Sequence, residues 1–385
     1  MSASRVLTAA VLGLAVAAGA VAATPPPPLP PEKLTLESLP PASPHWVFVY
    51  DAAFANEIDG RLFLFDGDRN RRLGQIDTGF NASFNLSPDS KTTVVATTYW
   101  SRGGHGKRTD VVEFTDNRTL ALPHEIVIPN KRATTLPTLF GVAYSSDAHF
   151  VYVSYVTPAA SFGVLDPAHG TVLGEIDTAG CVLVIPHGPN QVSSLCESGR
   201  LLTVTLTADG KESGRALSEP FFNPDTDPAF VQGIPTEKGY AFLTFLGEVR
   251  EVDFSGPQPG FAPPWSLVSG TERGHWRPGG EQVGTLHRGM HRLYVPMHEG
   301  GEGSHKDGGT EIWVYDTATH QRLARWPMRT ALQSEVIAVQ VTQDAAPLLF
   351  AASQHGDLAV VDALTGKVRH VEKHLAQTPW MMLNP

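Results

Sequence analysis

The sequence predicts an all-β chain: a seven-bladed β-propeller behind an export signal, its ring closed by the chain's two ends meeting in one blade. Three observations predict it. A strand–Asp–turn–strand unit recurs along the chain. Glycine (36) and proline (31) are abundant among the 385 residues and punctuate short β-type runs. Helix-period runs are scarce after the first 25 residues.

The repeat is clearest at Leu62-Phe-Leu-Phe-Asp66, Phe162-Gly-Val-Leu-Asp166, Ile312-Trp-Val-Tyr-Asp316 and Leu358-Ala-Val-Val-Asp362, each followed by a turn and a second strand. Weaker copies end at Thr115, Leu206 and Asp253. Neighbouring markers lie between 40 residues (166 to 206) and 63 residues (253 to 316) apart. Several strands per period of that length is the propeller pattern. The repeated Asp is read as a turn former that accepts backbone N–H groups, since copies spread around a ring cannot build one site. An earlier strand precedes several repeats, at Phe84 to Asp89, Val142 to Asp147 and Val339 to Asp344. The first unit, from His45, lacks it, and Trp380-Met-Met-Leu-Asn-Pro385 looks like that missing strand. Pairing them would close the ring and remove a free edge.

Residues 1–22 read as a signal peptide. Arg5 precedes an apolar run from Val6 to Gly19, and Ala20-Val21-Ala22 fits a small-x-small cleavage site. The run is short for a membrane span, so no span is expected once it is removed. Residues 23–44 form a Pro-rich extension, stiff and without a core, and 45–385 the propeller. The formal charge of −10 provides no basic footprint for nucleic acid.

The two cysteines, Cys181 and Cys196, are expected to be disulfide-bonded. Residues 181–186 and 191–196 read as facing strands, with the turn at His187-Gly-Pro-Asn190. Pairing 186 with 191 sets 181 opposite 196, a separation a disulfide tolerates.

Candidate chemistry is sparse. His287, His291, His298 and His305, with Glu299 and Glu302, are close in sequence. The strand and Gly-rich loop among them should point them apart, so no metal site is expected. His275-Trp-Arg-Pro-Gly-Gly280 reads either as a loop packing its Trp under a blade or as a partner-binding loop. Ser101 to Asp110 reads as a basic, flexible loop, suited to an acidic partner or simply a solvated hairpin tip. Asn81-Ala-Ser83 and Asn117-Arg-Thr119 match the glycosylation pattern. Nucleophile elbow, phosphate loop and helical zinc pair are all absent, and the repeat does not assemble the carboxylate ring of a metal-centred propeller hydrolase. No catalytic residue is assigned to this chain.

From about residue 45 onward the sequence resembles the heavy (α) subunit of the tryptophan tryptophylquinone-dependent amine dehydrogenases. The resemblance is carried by Gly106-Lys-Arg-Thr-Asp-Val-Val-Glu113, the Cys181/Cys196 hairpin, Pro264-Trp-Ser-Leu267, Trp276-Arg-Pro-Gly-Gly280, Leu286-His-Arg288, Arg292-Leu-Tyr-Val295 and Glu311-Ile-Trp-Val-Tyr-Asp-Thr317. Leu201-Leu-Thr-Val-Thr205 and the stretch from Pro264 to Arg325 look closer to the aromatic amine type than to the methylamine type. The resemblance implies a seven-bladed subunit of a periplasmic α2β2 complex. The quinone cofactor would sit on a small, Cys-rich light (β) subunit; this chain would carry no cofactor of its own. The complex would oxidise primary amines, aromatic or aliphatic, to aldehyde and ammonia, and pass electrons to a cupredoxin such as amicyanin or azurin. Gly79-Phe80-Asn81 matches the family position whose Phe lines the substrate channel, which implies that role for Phe80; a core aromatic at a blade junction is the plain alternative. A stand-alone periplasmic binding or scaffold propeller is the competing function.

Overall fold

The computed structural model describes residues 37–133 and 137–385. The signal peptide and most of the Pro-rich extension lie outside them. None of the described helices is long and apolar enough to cross a membrane.

The described chain is a succession of antiparallel sheets in which strands adjacent in sequence are neighbours in space. The first sheet contains β1 (Trp46–Asp51), β2 (Gly60–Asp66), β3 (Arg71–Leu86), β4 (Thr92–Arg102), β5 (His105–Asp116) and β6 (His124–Ile128). Its long β3 serves two neighbours. Residues 71–79 pair with β2, and residues 80–86 pair with β4. Next come β7 (Val142–Tyr144), β8 (Val151–Tyr155), β9 (Ser161–Asp166) and β10 (Thr171–Asp177), a four-stranded sheet. A second such sheet holds β11 (Cys181–His187), β12 (Gln191–Cys196), β13 (Leu201–Leu206) and β14 (Glu212–Leu217). The fourth sheet holds β15 (Ile234–Pro235), β16 (Gly239–Leu243), β17 (Glu248–Asp253) and β18 (Gly260–Phe261), with β19 (Trp265–Ser266) on β17. The fifth holds β20 (Trp276–Pro278), β21 (Thr285–His287), β22 (Arg292–Glu299), β23 (Glu311–Asp316) and β24 (Gln321–Pro327). The sixth holds β25 (Val336–Val341), β26 (Leu348–Ser353), β27 (Leu358–Asp362) and β28 (Val368–Glu372). Finally β29 (Pro379–Leu383) returns to the first sheet and pairs with β1, setting Val49 opposite Met382. Repeated four-stranded antiparallel sheets of this kind are the blade pattern of a β-propeller.

The core lies between sheets, which explains the continuous apolar runs. Side chains of a strand alternate between its two faces, and here both faces are covered. On β1, Val47 and Val49 pack with Phe350, Leu348 and Val360 of the sixth sheet. Trp46, Phe48 and Tyr50 pack on the other side with Phe84 and Val95. Likewise Val151 and Val153 of β8 meet Val94 and Phe114, whereas Tyr152 meets Val192 and Val204.

The recurrent Asp does the expected local work. Asp166 Oδ1 accepts from the backbone N–H groups of Ala168 and His169, both at 3.0 Å. Asp66, Asp316 and Asp362 hold their turns in the same way. One marker is off by a residue, and another, Leu206, ends its strand as expected without forming the turn. The turn after β5 is held by Asp116, not Thr115, through the N–H groups of Arg118 and Thr119. After Leu206 the turn is held by Thr207, whose hydroxyl donates to Asp209 at 2.5 Å.

Cys181 and Cys196 are bonded across β11 and β12. The route to that pairing differs from expectation. Pro186 faces Val192 and His187 faces Gln191, one step out of the simple register. A bulge between Val182 and Ile185 absorbs the step and returns Cys181 opposite Cys196. Leu183, inside it, adopts a left-handed φ of 74°. The Ser101–Asp110 segment follows the hairpin-tip alternative: β4 and β5 continue through it, with Arg102 paired to His105 around a tight Gly103-Gly104 turn and residues 101–107 exposed.

Candidate functional site

Phe80 sits where β3 passes from one set of pairings to the next. It faces Thr98 of β4, and the register breaks between Phe80 and Ser83. Gly79 and Asn81 flank it with φ of 59° and 43°. A side chain at 79 would be strained and would also meet Tyr99 Cε1 at 2.7 Å. Phe80 itself is half-buried and belongs to no buried apolar cluster, so the segment presents it instead of folding it into the core.

Arg132 fixes this segment from beneath. It is 4% exposed. Its guanidinium donates to the carbonyl of Asn81 at 2.5 Å, to Thr98 Oγ1 at 2.9 Å and to the carbonyl of Phe80 at 3.4 Å. Burial lowers its pKa to about 10, which leaves it charged at neutral pH. The fully buried Asp110 supplies the opposite charge. It takes two bonds from Arg108, at 2.7 and 2.6 Å, and one from Thr98 Oγ1 at 2.9 Å. From the other side, Tyr50 Oη accepts the N–H of Ala82 at 2.9 Å.

Below Gly79, Tyr99 donates to Glu113 Oε1 at 2.8 Å. Burial, reinforced by the charges of Glu125 and Asp77, pushes the Glu113 carboxyl up from its ordinary 4.5 to about 7. A carboxyl raised in the folded state stabilises fully below its unfolded value, and that contribution is lost as pH rises from about 4.5 through 7. Glu113→Gln is therefore expected to be more stable than the parent at pH 8 by up to roughly 3 kcal/mol, with little gain at pH 5. Chemical unfolding at the two pH values measures this; an equal effect at both would show that Glu113 is not the titrating group.

Arg132 also lines a cleft of about 380 Å³, assembled from sequence-distant segments. Its walls include Leu183 of the β11 bulge, Phe230, Phe245 and Trp380. His305 stacks on Phe245, 4.2 Å between ring centres. Lys306 lies 5.4 Å above the Trp380 ring and pairs with Glu281 at 3.0 Å. Trp380 donates its indole N–H to the Pro137 carbonyl at 3.0 Å. The walls named first are apolar, Ser83, Thr138, Ser154 and Gln232 add polar groups to the lining, and these charged groups at the cleft have partners within the chain.

The sequence candidates disperse. His287 bonds the Asp344 carbonyl at 2.9 Å, His298 contacts Ser304 Oγ at 3.0 Å, and His305 belongs to the cleft. Among the described residues no cluster of three His, Cys, Asp or Glu could hold a metal. Trp276 lies 4.9 Å from Trp313 in the fifth sheet, beneath the Arg325 guanidinium at 4.5 Å, as in the packing alternative for its loop. Asn81 is 2% exposed and too buried to be a glycosylation acceptor. Arg132 and the cleft were not singled out from sequence; they depend on contacts between distant segments and follow no short motif.

Comparison with known proteins bears on this site. The family model described as methylamine dehydrogenase heavy chain (MADH) matches residues 44–384. The chain is 27% identical over 357 residues to the methylamine dehydrogenase heavy chain of Methylobacillus flagellatus, covering 91% of this chain and 88% of the relative. It is 28% identical over 338 residues to that of Methylorubrum extorquens, covering 85% and 79%. Among solved structures, the β-propeller domain of Myceliophteria thermophila Cps50 (Swd1) superposes with a TM-score of 0.54 at 11% identity, covering 82% of this chain and 95% of that one. That likeness concerns the fold alone.

Proposed function

Because the chain belongs to the methylamine dehydrogenase heavy chain family, we propose that it is the heavy subunit of a periplasmic quinoprotein amine dehydrogenase. The observation that carries this reading is the extent of the match, 44–384, which spans nearly all of the described chain. The ring is read as seven blades, with β3 shared between the first two and β29 closing the ring on β1. The complex is read as α2β2. Its catalytic tryptophan tryptophylquinone belongs to a small, Cys-rich light subunit; both cysteines of the present chain are engaged in one disulfide. When bound, the quinone supplies the two-electron oxidation of a primary amine and water to aldehyde and ammonia, and a cupredoxin takes the electrons one at a time.

The heavy chain's part is positional. Arg132, Asn81 and Gly79 set the Phe80 segment, and Phe80 is read as one edge of the substrate channel. We read an aromatic ring there as suited to aromatic amines, the type that Pro264 to Arg325 resembles in sequence, while small aliphatic amines remain within the substrate class.

The purified chain alone is expected to show neither amine oxidation nor quinone absorbance. Co-expression with a light chain of the family should produce both. Full activity from this chain by itself would overturn the reading, and a monomer that never retains the light chain would favour a stand-alone binding propeller.

A further inference from the structure

The cleft beside Arg132 contains an acceptor with nothing to accept. Gln232 is 6% exposed, and its side-chain Oε1 has no hydrogen-bond partner among the described residues. Thr138, in the same lining, has a hydroxyl with no partner among the described residues. A buried polar atom in this state favours whatever brings it a donor. Apolar side chains of the same lining include Phe230, Phe245 and Leu183.

The mouth is apolar too. Val156, Val182 and Val231, which line it, are 37%, 38% and 46% exposed. The lining cations are already engaged: Lys306 pairs with Glu281, and Arg132 turns inward to Asn81 and Thr98. Recognition here therefore suits a neutral group with an apolar body and one donor at its tip. A volume of about 380 Å³ is at the small end of ligand pockets, about 300–1,000 Å³. It suits a ring, not a helix or strand.

We propose that this cleft receives one aromatic side chain bearing an N–H or O–H donor, a Trp or Tyr, from the light subunit, with the donor on Gln232 Oε1. Such residues bury a large apolar body while keeping a polar handle, and they commonly anchor interfaces in desolvated pockets. The proposal rests on the heavy-subunit reading above. Arg132 links the two features, since it lines the cleft and also holds the carbonyls of Phe80 and Asn81. The anchor and the channel edge thus share one rigid support.

Two experiments test it. In the first, indole and N-methylindole are titrated into the full chain and followed by NMR. Indole is expected to bind at least tenfold more tightly, and Gln232→Met should erase the difference; equal binding of both probes to the parent chain would overturn the donor contact. In the second, light-chain affinity is measured for the parent, Gln232→Met and Val231→Asp. Val231 is exposed at the rim, so its variant tests the site without disturbing the core. Both variants are expected to weaken assembly at least tenfold, whereas Val172→Asp, at an exposed position away from the cleft, should not. Unchanged affinity in both cleft variants sinks the anchor and leaves the subunit reading intact. A parent chain that binds no light chain sinks the subunit reading, and the anchor with it.

Discussion

Arg132→Met is expected to destabilise the chain by roughly 2–4 kcal/mol and, in the assembled enzyme, to alter preference among amines. Methionine fills much of the space but offers no N–H. The carbonyl of Asn81 and the hydroxyl of Thr98 would each lose the N–H that Arg132 supplies, and the carbonyl of Phe80 would keep Thr97 Oγ1 at 3.5 Å. Hydrogen bonds to a charged group contribute about 1.5–3 kcal/mol each where they are well formed. Asp110 keeps Arg108 and Thr98, so the loss falls on the Phe80 segment. That segment holds two left-handed residues, Gly79 and Asn81, and a non-glycine residue held there is strained. Without its clamp it should relax and move Phe80. Lysine would restore the charge but not the planar fork that reaches three acceptors. Urea unfolding measures the stability change, and relative kcat/KM for benzylic and short aliphatic amines measures the second effect. The control is Phe80→Ala, which removes a half-buried side chain outside the core and should alter preference with far less loss of stability. If Arg132→Met unfolds like the parent and keeps its amine ranking, Arg132 neither supports the segment nor reaches the channel.

What can be read from this sequence is what neighbours in sequence decide. Asp166 and its turn lie within three residues, so the motif and its hydrogen bonds coincide. The apolar runs of β1 and β8 are legible as strands because both faces are covered. Errors enter one residue at a time. The spacing puts the end of a weaker repeat at Thr115, but β5 runs one residue further and Asp116 holds the turn. The β11–β12 hairpin hides a bulge because facing cysteines constrain only their own end of the pair. The cleft is invisible for a different reason. Arg132 reaches Asn81 across 51 positions, and Trp380 reaches Pro137 across 243. No local pattern marks either contact. Gln232 has no motif at all; its interest lies in a buried Oε1 with no partner among the described residues, which only three dimensions reveal. The resemblance to a family supplied Phe80 but not the residue that holds it in place.

The last strand depends on one carboxylate at its entry, and Asp51→Ala is expected to cost about 3–5 kcal/mol. Asp51 is 5% exposed. Its Oδ1 accepts the N–H of Thr378 at 2.7 Å and of Ala53 at 3.0 Å, and its Oδ2 accepts that of Gln377 at 2.8 Å. Hydrogen bonds to a charged acceptor contribute about 1.5–3 kcal/mol each, and water can recover part of that where Gln377 is exposed. The far end of β29 has a separate hold. Gln282 behaves like a strand edge toward Met382, accepting its N–H at 2.6 Å and donating to its carbonyl at 3.2 Å. The variant should therefore fray β29 from one end. Amide exchange at Gln377 and Thr378 should accelerate strongly, while Met382 stays protected up to global unfolding. Asp51→Asn, which keeps one acceptor oxygen, should lie between the two. Unchanged exchange at Thr378 would mean that strand pairing alone holds the entry. Trp380 sits between the two holds and forms part of the cleft wall, so fraying at Thr378 should loosen the wall before it opens the sheet. Light-chain binding is then expected to weaken in Asp51→Ala although no residue of the mouth has changed, and adding light chain should slow the exchange at Thr378 again, because a partner that binds only the intact wall stabilises it by mass action.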